Sequence, residues 1–424
     1  MEPYVELDKN LSPDLIRLKN EVHRFAAEVL RPVSRELDGR DPESVIARGS
    51  PMWDVFRQAY EQGYHTRGLP PEMGGIEAGP LGGHIVSEEM GWGSADFAIA
   101  LGVTSFPFSF AAGRAQDRPR LMKDVVRPFI EDRRGEFIGC WAITEPGHGS
   151  DTLVVGTEFY RDPAIWWGVT ARQDGDEWVI SGQKSAWVSN GTIATHALAF
   201  LGIERERGMG GGGVALIPLD LPGVTRGKPL NKLGQRALNQ GEIFFDEVHI
   251  PKDYMLVEPD AYPLVIDMTL AGANAFMGAT FTGVARAAFE EGLNYARNRV
   301  QGGKAIAEHQ LVQKKLFDMY TKVESARQLS RAAIAYNSGT FPPATYLSIV
   351  SKVYCTQAAL DVANDAIQLH GGYGLAKEFL VEKLFRDARA SLIEDGSNDV
   401  LALAGFRALR KAAGGTVAPG RDGL

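Results

Sequence analysis

Phe137-Ile138-Gly139-Cys140-Trp141-Ala142-Ile143-Thr144-Glu145-Pro146-Gly147-His148-Gly149-Ser150-Asp151 is where the chain changes character. Residues 137–143 are almost wholly apolar and read as a strand. The strand leads into a loop punctuated by Pro and Gly and carrying hydroxyls. Such a loop exposes backbone N–H groups to a ring edge or a phosphate. A plain β-turn is the competing reading.

Upstream the pattern is helical. Ser12 is a candidate N-cap with Pro13 in the first turn. Leu15, Leu18, Val22, Phe25, Ala26 and Val29 follow at helical spacing. Arg31–Pro32 predicts an end or a kink. A second helix is expected over Met52–Gln62, with Trp53, Phe56 and Tyr60 on one face. Gly68–Gly75 is a turn-rich loop, and helical pattern resumes to about Ile130.

Downstream the pattern is β. Gln173-Asp174-Gly175-Asp176-Glu177 sits between Trp166–Ala171 and Trp178–Ser181, which predicts a hairpin with Asp-Gly as its turn. Ala197–Leu201, Val214–Pro218 and Glu242–Phe245 are further strands. From about Tyr254 helices return, over Phe276–Asn298, His309–Asn337 and Ala344–Leu369. The 424 residues therefore divide into three domains, 1–136, 137–252 and 253–424, at the usual ~150 residues each. The fold class is α+β multidomain.

Composition excludes several functions. Lys and Arg number 45 against 53 Asp and Glu, a net charge of −8. No basic excess points to nucleic acid or an anionic membrane. The two cysteines, Cys140 and Cys355, make no disulfide framework, and a Cys-based zinc site is excluded by count. No metal site is predicted. No run of 18 apolar residues predicts a membrane span. The first ten residues carry neither a basic n-region nor an apolar h-region, so the cytoplasm is the expected compartment.

Other segments each have two readings. Gly208–Gly213 matches G-x-G-x-x-G, but a strand follows it, so it reads as a flexible hairpin loop and not a dinucleotide fingerprint. Trp187, in Lys184-Ser185-Ala186-Trp187-Val188-Ser189-Asn190-Gly191, is either a core tryptophan or a platform for a cofactor ring. Gln368-Leu369-His370-Gly371-Gly372-Tyr373-Gly374 is either a helix C-cap or a ligand loop. In Ile393-Glu394-Asp395-Gly396-Ser397-Asn398-Asp399, Asp395 is either a helix cap or a working carboxylate.

Together and in this order, T-E-P-x-x-G-S-D (Thr144–Asp151), W-V-S-N-G, H-Q at His309–Gln310, Q-x-x-G-G and E-K-L-x-R-D make the chain resemble an acyl-CoA dehydrogenase over about residues 10–410. The resemblance implies an N-terminal helical domain, a middle antiparallel β-barrel-like domain and a C-terminal four-helix bundle. It implies FAD as cofactor, an acyl-CoA substrate, an electron-transfer flavoprotein as acceptor, and a homotetramer built as a dimer of dimers. Trp141, Ile143, Thr144, Gly149, Ser150 and Ser397 would contact the flavin, with Trp187, Val188 and Ser189 along the isoalloxazine. Arg299, Gln301, Gln310, Gln368, Gly371 and Gly372 would reach the adenine and pyrophosphate end from a neighbouring subunit. Ser150 and Gly396 would also touch substrate.

The implied reaction is α,β-dehydrogenation of the thioester to a 2-enoyl-CoA. A carboxylate takes the α-proton while the β-hydride passes to flavin N5. The family motif at the base is Y-E-G-T. Ungapped alignment from Glu382–Asp387 puts Asp395 at the base and Glu394 at the Tyr position. Aspartate is shorter by one methylene, which leaves room for a branched or alicyclic acyl group. An alternative base position on the first helix of the last domain falls on Ala273, beside Asn274, and carries no carboxylate. Asp96 stands where the N-terminal domain could approach the acyl pocket, or caps the helix after Gly93–Ser94. Val155–Trp167 is longer than the usual connection and could cover the substrate entrance. Gln301-Gly302-Gly303-Lys304 replaces the usual Phe-Gly-Lys. Two competing functions are an oxygen-using flavoenzyme of the same fold (an oxidase or two-component monooxygenase) and a silent acyl-CoA-binding subunit.

Overall fold

The computed structural model describes residues 11–75 and 78–414. Ser12 caps the first helix, Pro13–Phe25, by accepting from the Leu15 amide at 3.3 Å. The chain does not break at Pro32. A π-helical turn over Ala26–Leu30 leads straight into the helix Arg31–Asp38. The Arg31 amide donates to the Ala26 carbonyl, five residues back. This widened turn accommodates the missing donor and the ring of Pro32, which corrects the expected helix end. Met122–Val126 repeats the device ahead of Pro128.

Helices Gly79–Gly93 and Ala95–Ala112 complete the N-terminal part. The first packs backbone to backbone on the long helix Tyr262–Asn298. A Cβ at Gly91 would lie 2.0 Å from the Thr280 carbonyl oxygen, and one at Gly283 2.0 Å from that of Glu88. Only glycine permits that approach from both sides. Beside it lies a buried charge cluster. Glu88 meets Arg286 at 3.1 Å and Arg327 at 2.8 Å, and Glu89 meets Arg286 at 2.7 Å. Helices Ala95–Ala112 and Tyr262–Asn298 are long and apolar enough to cross a bilayer by composition, although neither contains an unbroken apolar run of that length. Both are largely buried inside the protein, with 72% and 61% of the apolar window covered.

The middle part is one eight-stranded sheet. Its strands are β1 (Gly139–Ala142), β2 (Thr170–Asp174), β3 (Glu177–Lys184), β4 (His196–Gly202), β5 (Gly212–Pro218), β6 (Val224–Arg226), β7 (Ile243–Pro251) and β8 (Met255–Val257). The order is β6-β7-β3-β2-β4-β5-β8, with β1 parallel to β4. Asp174 pairs with Glu177, so the β2–β3 turn is Gly175-Asp176, one residue later than expected, with Gly175 at φ 60°. The Gly208–Gly213 segment does join β4 to β5, but it is a packed 3-10 turn and not a flexible loop. Met209 is fully buried there, and its carbonyl accepts from Trp167 Nε1 at 3.1 Å.

Tyr262–Asn298, Gln310–Asn337, Thr345–His370, Leu380–Ser391 and Asn398–Ala412 form the C-terminal helical bundle. One hydrophobic core runs unbroken from Val22 to Leu401 through all three parts.

Candidate functional site

The Thr144–Asp151 loop leaves the end of β1 and is anchored by a buried carboxylate. Glu145 accepts from the Gly168 and Val169 amides at 2.5 and 3.0 Å and from Lys184 Nζ at 2.6 Å. Lys184 has no exposed surface. Reciprocal backbone bonds between Glu145 and His148 close the Pro146-Gly147 turn. Asp151 then takes the Gly149 amide at 2.6 Å and lies 2.7 Å from His148 Nδ1. The Gly149 N–H expected to face a ligand is therefore spent inside the loop. The Thr144 carbonyl accepts from the Ser185 amide, while its hydroxyl has no partner among the described residues. Ile143 is buried; Trp141 is half-buried, and its Nε1–H is buried without an acceptor among the described residues.

Trp187 is 59% exposed, which removes the core-tryptophan reading. Val188 beside it is buried, and the Ser189 hydroxyl accepts from Gln240 Nε2 at 3.2 Å. Asn190, at φ 61°, ties this segment to its neighbours by donating to the Ala100 carbonyl, the Thr104 hydroxyl and the Gly139 carbonyl.

The carboxylate loop lies between the last two helices. Ser397, not Asp395, caps the final helix, accepting from the Val400 amide at 3.4 Å. Asp395 is left in the left-handed region at φ 51°, followed by Gly396 at φ 98°. Among the described residues three other non-glycine residues, Asn190, Gln235 and Glu247, share a positive φ; aspartate tolerates this region better than most, and such residues cluster at functional sites. Among the described residues the Asp395 carboxylate has no hydrogen-bond partner, and neither the Asp395 nor the Gly396 amide donates to any group. Burial pushes the Asp395 carboxyl up to about 6, against the opposing pull of the Lys352 ammonium. Glu394 is also raised by burial, with Gln235 donating to it at 2.8 Å and Lys232 opposing the rise. The loop is tied across the molecule: the Ser397 amide donates to Ser150 Oγ at 2.9 Å.

Asp96 is not at this loop's surface. It is fully buried and accepts from Ser34, Ser94, the Ala237 amide at 3.2 Å and Lys383 Nζ at 3.1 Å. Its carboxylate joins the three parts of the chain. That corrects the expectation of a substrate contact, and the cap of its helix is Ser94.

The six residues expected at the far end of the cofactor come together. Arg299, Gln301, Gln310, Gln368, Gly371 and Gly372 line one cleft of about 1380 Å³. The lining includes none of the Thr144 or Trp187 group, so the two halves form separate surfaces on one chain. Arg299 has no carboxylate partner among the described residues and lies 5.8 Å from the Tyr373 ring. A Cβ at Gly371 or Gly372 would meet nothing within 4 Å. A free guanidinium, three carboxamides and open glycine backbone suit a pyrophosphate and an adenine edge. His370 is structural: it is buried, its Nδ1 faces the Ala366 carbonyl at 2.8 Å, and it stacks on Tyr295. The long Val155–Trp167 segment packs on the β4–β5 connection, with Tyr160 and Trp167 buried.

Sequence reasoning missed Lys352. It has no exposed surface, and its Nζ donates to the Gly396 carbonyl and to Asn398 Oδ1, each at 2.7 Å. The signal was present. Ile349, Lys352, Cys355 and Thr356 share one helical face, and a lysine on an apolar stripe marks a buried charge. It also missed the Ser150–Ser397 tie, which no local pattern announces.

Three family models match the chain: the acyl-CoA dehydrogenase N-terminal domain over residues 12–128, the middle domain over 140–248 and the C-terminal domain over 264–409. Cyclohexane-1-carbonyl-CoA dehydrogenase of Geobacter metallireducens is 33% identical over 396 residues, 92% of this chain and 98% of that protein. The mitochondrial short-chain specific acyl-CoA dehydrogenase of Rattus norvegicus is 30% identical, over 90% of this chain and 87% of its own. The solved butyryl-CoA dehydrogenase of Megasphaera elsdenii superposes with a TM-score of 0.81 at 25% identity, covering 95% of this chain and 100% of that one.

Proposed function

The chain belongs to the acyl-CoA dehydrogenase family, and from that premise we propose that it dehydrogenates an alicyclic or α-branched acyl-CoA with Asp395 as the base. It is an FAD-dependent oxidoreductase acting on acyl-CoA, as the family is.

The observation that carries the reading is the state of Asp395. Its carboxylate is half-buried with its pKa raised by that burial, has no hydrogen-bond partner among the described residues, and sits in a held left-handed turn. A base raised toward neutrality takes a weakly acidic α-proton more effectively than an ordinary aspartate. The Asp395 amide, which donates to no described group, would donate to the thioester carbonyl and so acidify that proton. Ser150 joins the Thr144–Asp151 loop to the loop carrying Asp395, which would fix the flavin side and the base side of the reacting bond relative to one another. Bound FAD supplies the hydride acceptor. Thr144, Trp141 and Trp187 would hold its ring, while Arg299, Gln301, Gln310 and Gln368 would hold the adenine and pyrophosphate end. Because these sets form separate surfaces on one chain, a second copy completing each site accounts for both, which supports an assembly of at least two copies; the homotetramer is the form the family resemblance implies. An electron-transfer flavoprotein is the proposed acceptor.

The short base favours bulk at the α-carbon. A misplacement of about 1 Å costs about 100-fold in rate, so a substrate must approach Asp395 more closely than it would a glutamate. A ring or branch fills the space that the missing methylene leaves. The Geobacter relative, named for a ring-bearing acyl-CoA, agrees with this choice. The test is anaerobic flavin absorbance during titration with straight, branched and alicyclic acyl-CoAs. Bleaching by the alicyclic or branched members is expected. Bleaching by straight chains alone rejects the substrate assignment, and bleaching by none, with FAD bound, favours an oxygen-using or silent protein.

A further inference from the structure

Among the described residues, Lys352 is the one buried lysine that grips the Asp395–Gly396 turn, and nothing in the family reading uses it. It rises from the middle of helix Thr345–His370, and the whole residue is shielded from solvent. Two of its three protons are committed, to the Gly396 carbonyl and to Asn398 Oδ1, both at 2.7 Å. Asn398 is held in turn by its side-chain donation to the Thr356 hydroxyl, at 3.0 Å, and by its amide to the Leu392 carbonyl. The carbonyl that Lys352 grips belongs to the residue after the base, at φ 98°. The lysine therefore acts on the base through the backbone it grips and through its field.

We propose that Lys352 is the positioning residue for Asp395: it clamps the left-handed turn that aims the carboxylate and places a fixed cation behind it. The proposal rests on Asp395 being the base. A left-handed aspartate is strained by an amount that the surroundings must offset, and a carbonyl clamped by a buried ammonium is a strong, charge-assisted tether. The same cation opposes burial, which by itself would hold the proton on Asp395 to higher pH. The charged groups that bear on the turn are Lys352, Glu394 and, through Glu394, Lys232; Gln235 donates to Glu394. Lys352 is itself pushed down to about 8 by burial, which Asp395 and Glu394 oppose, so it stays charged at neutrality.

Three variants of the FAD-loaded protein test this: Lys352→Gln, Lys352→Met, and Lys352→Met combined with Asp395→Asn. The first readout is the pH dependence of flavin reduction by whichever acyl-CoA bleaches the wild type. Both single variants should move the ascending limb up by about one pH unit, because an opposite charge nearby is worth that much or more. Lys352→Gln should keep the higher limiting rate, since its amide still donates to a carbonyl. The second readout needs no turnover. The melting-temperature deficit of Lys352→Met should grow between pH 5 and 7.5, as Asp395 loses a proton that the folded state now holds more tightly, and Asp395→Asn should shrink that growth. An unmoved limb together with a pH-independent deficit overturns the proposal and leaves Lys352 a plain structural residue. If Lys352→Met does not fold, Lys352→Gln carries both readouts against Asp395→Asn. If no acyl-CoA bleaches the wild type, the dehydrogenase reading fails, while the melting data still judge Lys352.

Discussion

Ser150 Oγ accepts the Ser397 amide at 2.9 Å, joining residues 247 positions apart. One side of this bond is the loop expected to meet the flavin, and the other is the loop that carries Asp395. Ser397 also caps the last helix, so a single residue fixes the helix start and the loop's attachment. Ser150→Ala leaves the Ser397 amide without its acceptor. The site is half-buried, so the loss is that of an ordinary hydrogen bond, about 0.5–1.5 kcal/mol. The expected result is a lower melting temperature and a slower flavin reduction, roughly 10-fold, with FAD still bound. A variant with wild-type reduction kinetics would show that the bond holds structure only.

Asp96 is expected to matter for stability and not for substrate recognition. Its carboxylate is shared among Ser34, Ser94, Ala237 and Lys383. Asp96→Asn leaves Lys383 paired with Asp387 at 2.5 Å but removes the acceptor shared by Ser34, Ser94 and Ala237, and unsatisfied buried donors cost about 1–3 kcal/mol. Denaturant unfolding should register that loss. The KM for acyl-CoA in the folded fraction should stay near the wild-type value. A large rise in KM without a loss of stability would return Asp96 to the acyl pocket.

Acid should undo the docking of helix Gly79–Gly93 on the bundle. Burial alone would raise Glu88 and Glu89, but Arg327 and Arg286 outweigh it and hold both below the ordinary carboxylate range. A depressed carboxyl contributes stability that is present above its unfolded pKa and lost as pH falls toward its folded one. Melting temperature should therefore be flat in this contribution above about pH 5 and fall steeply below about pH 4. Arg286→Met should flatten the acid slope while lowering stability at neutrality. An unchanged acid slope in that variant would place the acid-sensitive groups elsewhere.

Much of the architecture was legible in the sequence because periodicity changes where the layers change. The strand expected over 137–143 is Gly139–Ala142; the helix expected from Phe276 starts at Tyr262, and Met255–Val257, where helix was expected to return, is still a strand of the sheet. Turn chemistry placed the β2–β3 hairpin to within one residue. The errors share a cause: each was settled by a distant contact or a backbone adjustment that local pattern does not encode. Pro32 breaks nothing because the preceding turn widens. The glycines at 208–213 look mobile, yet Trp167 Nε1 donates to the Met209 carbonyl among them. Asp96 reads as an acyl-pocket or capping carboxylate until Lys383, 287 residues away, is found against it. For Asp395 the sequence left both a cap and a base open. The structure gives the cap to Ser397, which leaves the carboxylate without that structural task.

Asp395→Glu should redistribute specificity. The added methylene restores about 1.5 Å of reach, so straight-chain acyl-CoAs should gain in flavin-reduction rate relative to alicyclic ones. Glutamate must also adopt the left-handed turn, which costs on the order of 1 kcal/mol, so a small drop in melting temperature should accompany the change. Equal effects on both substrate classes would mean that base length does not set the preference.

The most direct test of Asp395 as the base is the pH profile of anaerobic flavin reduction in the wild type and in Asp395→Asn, with an alicyclic acyl-CoA. The wild-type rate should rise through a limb near the raised carboxyl, about 6. Asp395→Asn should bind FAD and acyl-CoA yet reduce the flavin at least about 1000-fold more slowly, with the limb gone. Reduction by Asp395→Asn at near wild-type rate, with the limb intact, would contradict the assignment and move the base to another carboxylate.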